Sequence, residues 1–167
     1  MTKLDRIDLR ILSVLQKHGR ITKQKLANEV NLSVSPCWVR LKRLEEAGII
    51  NGYHAEVQLE KLANFSTVLV EITLKHHSAE DFQRFETAMQ DTPQVIDCYA
   101  TGGGVDYVLK VIARDIDHYQ SLIDDLLARN IGIDRYFTYI VTKAVKQSRY
   151  IPIRQVLDIN GITRPVT

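Results

Sequence analysis

The sequence has only two cysteines, Cys37 and Cys98, in 167 residues. They lie far apart, with neither CxxC spacing nor Cys/His partners, so neither a disulfide framework nor a zinc site is indicated; both are expected to be small buried residues. There is no signal peptide and no apolar run long enough to span a membrane, so a cytoplasmic protein is expected. Nucleophilic catalysis has no Ser/His/Asp or Cys/His constellation to rest on, and so small a chain offers no spare domain for one; an enzyme is not expected. The glycines at 102–104 are followed by neither a Gly-Lys-Ser/Thr run nor a helix start, which argues against a phosphate loop. His76 and His77 at a strand end point opposite ways with no carboxylate at ligand spacing, and so read as a solvated pair. Asp124-Asp125 is most simply an exposed helix face. Neither a metal nor a cofactor is expected.

Hydrophobic residues make up 45% of the chain, enough for a packed core and against disorder. The net charge of +2 is modest, but its distribution is uneven. Residues 1–62 hold 11 basic against 7 acidic side chains, and the remainder 11 against 13. A basic front module joined to a mildly acidic one suits a nucleic-acid binder with a second task.

The front module reads as three helices. Asp5 caps the first, with Leu4 and Leu9 placed as a hydrophobic staple, an apolar stripe of Ile7, Ile11, Leu12 and Leu15, and Gly19 at its end. Thr22 caps the second, whose inner face is Leu26, Ala27 and Val30, and Asn31 marks a turn in the left-handed conformation. Ser35-Pro36 marks the third start, with proline at the first helical position. At 100° per residue Cys37, Leu41 and Leu44 share one side, while Ser35, Val39, Lys42 and Arg43 share the other. An apolar back and a basic front of short side chains fit a recognition helix in a DNA major groove, although a solvated amphipathic helix has the same pattern. With the adjoining Thr22, Ser33 and Arg40, these four form the candidate DNA-facing set. Trp38 flanks this helix, where it can touch DNA backbone or pack against a wing. Asn51-Gly52 then signals a turn, and Tyr53–Leu59 reads as a strand, either a wing or a linker.

Beyond a boundary at 60–64 the pattern changes. Ser66–Lys75 alternates as a half-buried strand with Val68, Val70, Ile72 and Leu74 on one face. Ser78 and Asp81 cap a helix carrying Phe82, Phe85 and Met89, with Pro93 beyond its end. Val95–Thr101 and Val105–Ala113 are strands separated by the glycines. Asp117 opens a helix through Tyr119, Leu122, Ile123, Leu126 and Leu127, and Arg135–Val145 is a fourth strand. The order β-α-β-β-α-β is ferredoxin-like, and its sheet has one face without helices, so a dimer is expected. The expected architecture is α+β: a (winged) helix-turn-helix domain at 1–52, a strand linker at 53–64, a ferredoxin-like domain at 65–153 and a tail at 154–167. Within the last part, Ile151-Pro152-Ile153 is expected as an edge segment and Gly161 onward as loose.

LDRIDLRIL at 4–12, GRIT at 19–22, LSVSPCWVRLKRLEEAGII at 32–50, GGGVDYVLKV at 102–111 and VK at 145–146 together resemble the Lrp/AsnC (leucine-responsive/asparagine regulator) family of transcription factors. The resemblance covers about residues 4–153. It implies a DNA-binding half joined by a strand to an amino-acid-sensing dimerisation domain. It further implies dimers assembling to tetramers or octamers, with small effectors at the interfaces between sensing domains. The family's effector loop falls on Thr101, Gly102, Gly103, Gly104, Val105, Asp106 and Tyr107. Many members carry an acidic or polar residue where Gly104 or Val105 stands. The GGGVDY wording is also similar to regulators found beside genes for degrading the compatible solute ectoine.

Read by their chemistry, the three glycines let backbone N–H groups approach a bound carboxylate, while Asp106 could accept from an ammonium group. An ordinary hairpin turn, in which glycine supplies positive φ, is the alternative. The partners expected are double-stranded DNA, an amino-acid-like effector and copies of the same chain, with no membrane. A second functional reading is an architectural DNA-compacting protein whose C-terminal domain only oligomerises; a third, a metabolic enzyme built on the ferredoxin-like half, has the least support.

Overall fold

The structure is a computed structural model, and it describes residues 4–148 and 150–156. The described residues divide into two compact units, one formed by those within 1–57 and 146–167 and the other by 58–145.

The first unit is built on α1 (Arg6–Lys17), α2 (Lys23–Val30) and α3 (Val34–Glu46). Their apolar stripes meet in one core of Leu9, Ile11, Leu12, Leu26, Ala27, Val30, Cys37, Leu41 and Leu44. Asp5 caps α1 by accepting from the amides of Ile7 and Asp8, while the Asp8 side chain accepts from the Asp5 amide, a reciprocal capping box. Asn31 ends α2 in the left-handed region at φ 59°, as its side chain permits. Gly19 does not end α1 by left-handed geometry; the helix stops at His18, whose amide bonds Val14.

The third helix starts two residues before the expected point. Ser33 is its N-cap, so Pro36 is the third helical residue, still within the first turn where a missing N–H breaks no helical bond. Its end is set by Gly48 at φ 67°, where the amides of Gly48 and Ile49 bond back to Glu45 and Leu44 in a Schellman pattern. The turn signal at Asn51-Gly52 is therefore not used. Residues 51–58 form no strand, because no neighbouring strand in the same chain offers them a ladder. They run as extended chain into a single 3₁₀ turn at Leu59–Lys61. Tyr53 is tied to Glu45 by a 2.9 Å hydrogen bond; burial and that bond push its phenol up to about 12.

The chain after Val145 returns to the first unit instead of completing the ferredoxin-like one, which corrects the expected boundary at residue 153. The Gln16 amide group bonds the backbone of Ile151, Lys17 lies over the Tyr150 ring, and a short α6 (Ile153–Val156) places Ile153 against the helical core. The expected edge segment at 151–153 is thus a helical start. The expected tail at 154–167 lies largely outside the described residues, as does the loose region from Gly161.

The second unit is β1 (Ser66–Leu74), α4 (Ala79–Gln90), β2 (Val95–Ala100), β3 (Tyr107–Ala113), α5 (Ile116–Ala128) and β4 (Ile133–Ile140). The sheet is antiparallel in the order β2-β3-β1-β4. Strand alternation sends Val68, Val70, Ile72, Leu74, Tyr107, Leu109 and Val111 into one core with Phe85 and Met89 of α4 and Leu122, Ile123 and Leu126 of α5. The cap of α5 is Asp115, not Asp117, and β4 runs two residues earlier and ends five earlier than expected. Cys98 lies on the edge strand β2 and is exposed, unlike the buried Cys37.

Leu44 is fully buried in the helical core. Leu44→Ala is expected to destabilise the first unit by roughly 2–5 kcal/mol. Urea unfolding followed through Trp38 reads this directly, and an unchanged midpoint would place Leu44 outside the core.

Candidate DNA interface and effector loop

The helix α3 is held on two flanks. On one, Asp8 of α1 is completely buried and carries a charge that must be met inside the protein. Arg40 donates to it at 2.9 Å and Arg43 at 2.5 Å, while Arg40 also reaches Asp5 at 2.6 Å. Burial opposes ionisation of Asp5, but the Asp8 amide and the Arg40 guanidinium outweigh it and hold the carboxyl below its ordinary value. On the other flank, the ammonium of Lys23, the first residue of α2, sits 3.4 Å from the centre of the Trp38 ring. Lys42 lies 5.1 Å from the same ring and pairs with Glu45 at 3.1 Å.

This arrangement sorts the candidate DNA-facing residues. Ser35 and Val39 are exposed with no side-chain partner among the described contacts, and Ser33 is exposed at the N-cap without a side-chain capping bond. Thr22 spends its hydroxyl as an acceptor from the Lys25 amide. Lys42 is exposed but paired. Arg43, expected on the free front, and Arg40, expected in the DNA-facing set, each direct a guanidinium nitrogen to Asp8 of α1. Sequence reasoning missed Asp8 as the hub and Lys23 as the partner of Trp38. The Asp-x-x-Asp spacing at 5–8, facing arginines three apart on another helix, was the available signal.

The loop Thr101–Tyr107 closes on itself. The Thr101 amide donates to the carbonyl of Asp106 at 2.9 Å and its hydroxyl to the carbonyl of Val105 at 2.6 Å. Asp106 is not the free acceptor expected. Its carboxylate accepts from the Leu74 amide at 2.7 Å and contacts the His77 ring at 3.1 Å. The Leu74 bond, against some burial and with help from His77, lowers its pKa. Tyr107 is buried in the core, donates to Glu86 at 2.8 Å, and has its phenol pushed up by burial. Only the glycines and Thr101 face outward. None of the three glycines has positive φ, and a Cβ added to any of them would meet nothing within 4 Å. The hairpin-turn explanation through positive φ therefore does not apply.

Across the sheet, the face without helices carries Leu69, Phe137 and Tyr139, all exposed, with Tyr99 on β2. Tyr139 bonds Glu71 at 3.0 Å on that face. Among the described residues no group of three or more His, Cys, Asp or Glu is placed to hold a metal, and no helix is long and apolar enough to cross a membrane.

Removing the charge at Asp8 leaves two guanidiniums facing a buried neutral group. Asp8→Asn is expected to cost about 3 kcal/mol, the low end for a broken buried pair because both arginines can still reach water. Guanidinium unfolding of the variant measures it. Asp106 makes a pH-dependent contribution. Its folded pKa lies below the ordinary 3.8, so the stabilisation is complete above that value and is lost as pH falls through the lower folded value. The difference in urea midpoint between wild type and Asp106→Ala should hold steady down to about pH 4 and shrink below it. A gap independent of acid would mean the carboxylate charge has no part in it.

Comparison with known proteins agrees with both halves. Residues 4–51 match the winged helix-turn-helix DNA-binding family, and residues 67–151 match the Lrp/AsnC ligand binding domain. The chain is 57% identical over 145 residues to the transcriptional regulatory protein DoeX of Halomonas elongata, covering 87% of this chain and 92% of that one. It is 40% identical over 151 residues to the leucine-responsive regulatory protein of Escherichia coli K12, covering 90% and 92%. Its fold superposes on an AsnC family regulator from Agrobacterium tumefaciens with a TM-score of 0.86 at 32% identity, covering 92% and 100%. A transcriptional regulator from Neisseria meningitidis, solved as its L-Met complex, superposes with a TM-score of 0.85 at 30% identity, covering 92% and 99%. The chain belongs to the Lrp/AsnC family of transcriptional regulators, with a helix-turn-helix DNA-binding domain followed by a ligand-binding domain.

Proposed function

We propose that this regulator binds specific DNA sites and that its response is set by a small amino-acid-like effector seated on Gly102–Gly104, where two sensing domains meet. The observation that carries the effector site is the glycine run. Neither backbone conformation nor any neighbour among the described residues requires glycine there, and at positions of that kind a side chain ordinarily stabilises the fold. A ligand or second chain lying against the backbone supplies that demand, and three bare N–H groups suit a carboxylate. With Asp106 already engaged, the effector's ammonium has to be met by a group outside the loop. The L-Met bound by the Neisseria relative supports an amino acid as the class.

The assembly follows from the open sheet face. Leu69, Tyr99, Phe137 and Tyr139 form an apolar and aromatic surface that a second copy would cover, giving the homodimer from which tetramers or octamers build. DNA-facing residues are then Ser33, Ser35, Val39 and Lys42, with Thr22 and Lys23 near the backbone. Arg40 and Arg43 serve to hold the helix.

A thermal-shift screen of the full chain against amino acids and related solutes tests the effector, since a ligand that binds only the folded state raises its melting temperature. Gly103→Ala is expected to leave the unliganded melting temperature unchanged or slightly raised, and to lose the shift produced by the active compound. A variant that keeps the full shift would move the effector site elsewhere. Footprints on long arbitrary DNA without any preferred site would favour the architectural role instead.

A further inference from the structure

Val39 is the only exposed large hydrophobic residue within α1, α2 and α3, at 65% exposure. A single exposed valine ordinarily needs no explanation. This one is β-branched, a poor choice for the solvent side of a helix, and it stands at the middle of the outward face of α3. The longer side chains around it are all drawn aside. Arg40 and Arg43 are held by Asp8, and Lys42 is held by Glu45 and the Trp38 ring. One turn before Val39 stands Ser35, short and exposed; Glu46, about two turns beyond, would be repelled by phosphate. The approach to a base pair is therefore through the N-terminal half of α3, where the front is low and its centre is a pair of methyl groups.

The major groove offers one apolar feature, the 5-methyl group of thymine. Resting on the proposal that the protein binds specific sites, we propose that Val39 is a specificity-determining residue that packs against a thymine methyl in each half-site. Arg40 and Arg43 each direct a guanidinium nitrogen to Asp8, which draws them off the centre of the front and leaves Val39 as its outward side chain.

The test starts from an operator selected by the full-length protein from random duplex DNA, with each thymine then replaced singly by deoxyuridine. Deoxyuridine keeps every hydrogen-bonding group and removes only the methyl. One position in each half-site should weaken binding about fourfold, the effect of one buried methyl group. Val39→Ala should weaken binding to the thymine operator and become indifferent to deoxyuridine there. Val39→Thr, which keeps a methyl at the same place, should retain the sensitivity. Dependence on salt should not change in Val39→Ala, since no phosphate contact is removed. Circular dichroism confirms that an exposed substitution leaves the fold intact. A motif in which every deoxyuridine is neutral, or a penalty that persists in Val39→Ala, overturns the assignment of Val39 alone. Failure of the selection to enrich any motif overturns sequence-specific binding as well, so the two failures are told apart.

Discussion

The carboxylate of Asp8 has no access to water, and a buried charge of that kind persists only when other groups meet it. Three elements do so here: the amide of Asp5 at the start of α1, and the guanidiniums of Arg40 and Arg43 on α3. The same side chain therefore caps the start of one helix and fixes the rotation of another. Apolar packing of Leu9, Leu41 and Leu44 would tolerate some rolling of α3 on α1, because hydrophobic contact has no direction. Paired guanidinium contacts are directional and do not. Which side of α3 is left outward is decided by that constraint.

The second unit solves a different problem. Its sheet buries one face under α4 and α5, and alternation leaves Leu69, Phe137 and Tyr139 on the other. An antiparallel sheet with one open face is stable when that face is polar, yet this one carries aromatic rings. The loop at the β2–β3 connection is also finished internally: Thr101 and Asp106 close it, and the Asp106 carboxylate pins it to Leu74. Its fold needs nothing further from Gly102, Gly103 or Gly104.

Much of this was legible in the sequence because its signals were local. The Asp5 and Ser78 caps, Asn31 in the left-handed region, the alternation through β1, and the β-α-β-β-α-β order all rest on residues a few positions apart. The misses involve partners distant in the chain. Tyr53–Leu59 has strand-forming residues but no strand beside it, and the turn expected at Asn51-Gly52 comes earlier, at Gly48. The return of Ile151 and Ile153 to the helical core joins residues far apart in sequence. At the candidate sites the helical wheel placed Arg43 outward from its angle, but an angle does not show that a carboxylate on another helix will capture the side chain. Asp106 failed for the same reason: being acidic and in the loop did not reveal the Leu74 amide beneath it.

Charged residues attract attention as binders, yet in both units the prominent ones, Arg40, Arg43 and Asp106, complete the internal structure. Each is the natural choice for that work, since a buried polar group needs a strong partner. The residues left without an internal use are plain ones, a valine on a solvent-facing helix and three glycines with ordinary φ and empty space around them. An unused choice that lowers local propensity is the mark of a demand arising outside the chain. The two kinds of residue would suit the two surfaces proposed to meet them. A flat, short-side-chain front lets a helix settle deep in a groove, and bare backbone lets a small carboxylate reach N–H groups that any Cβ would stand beside.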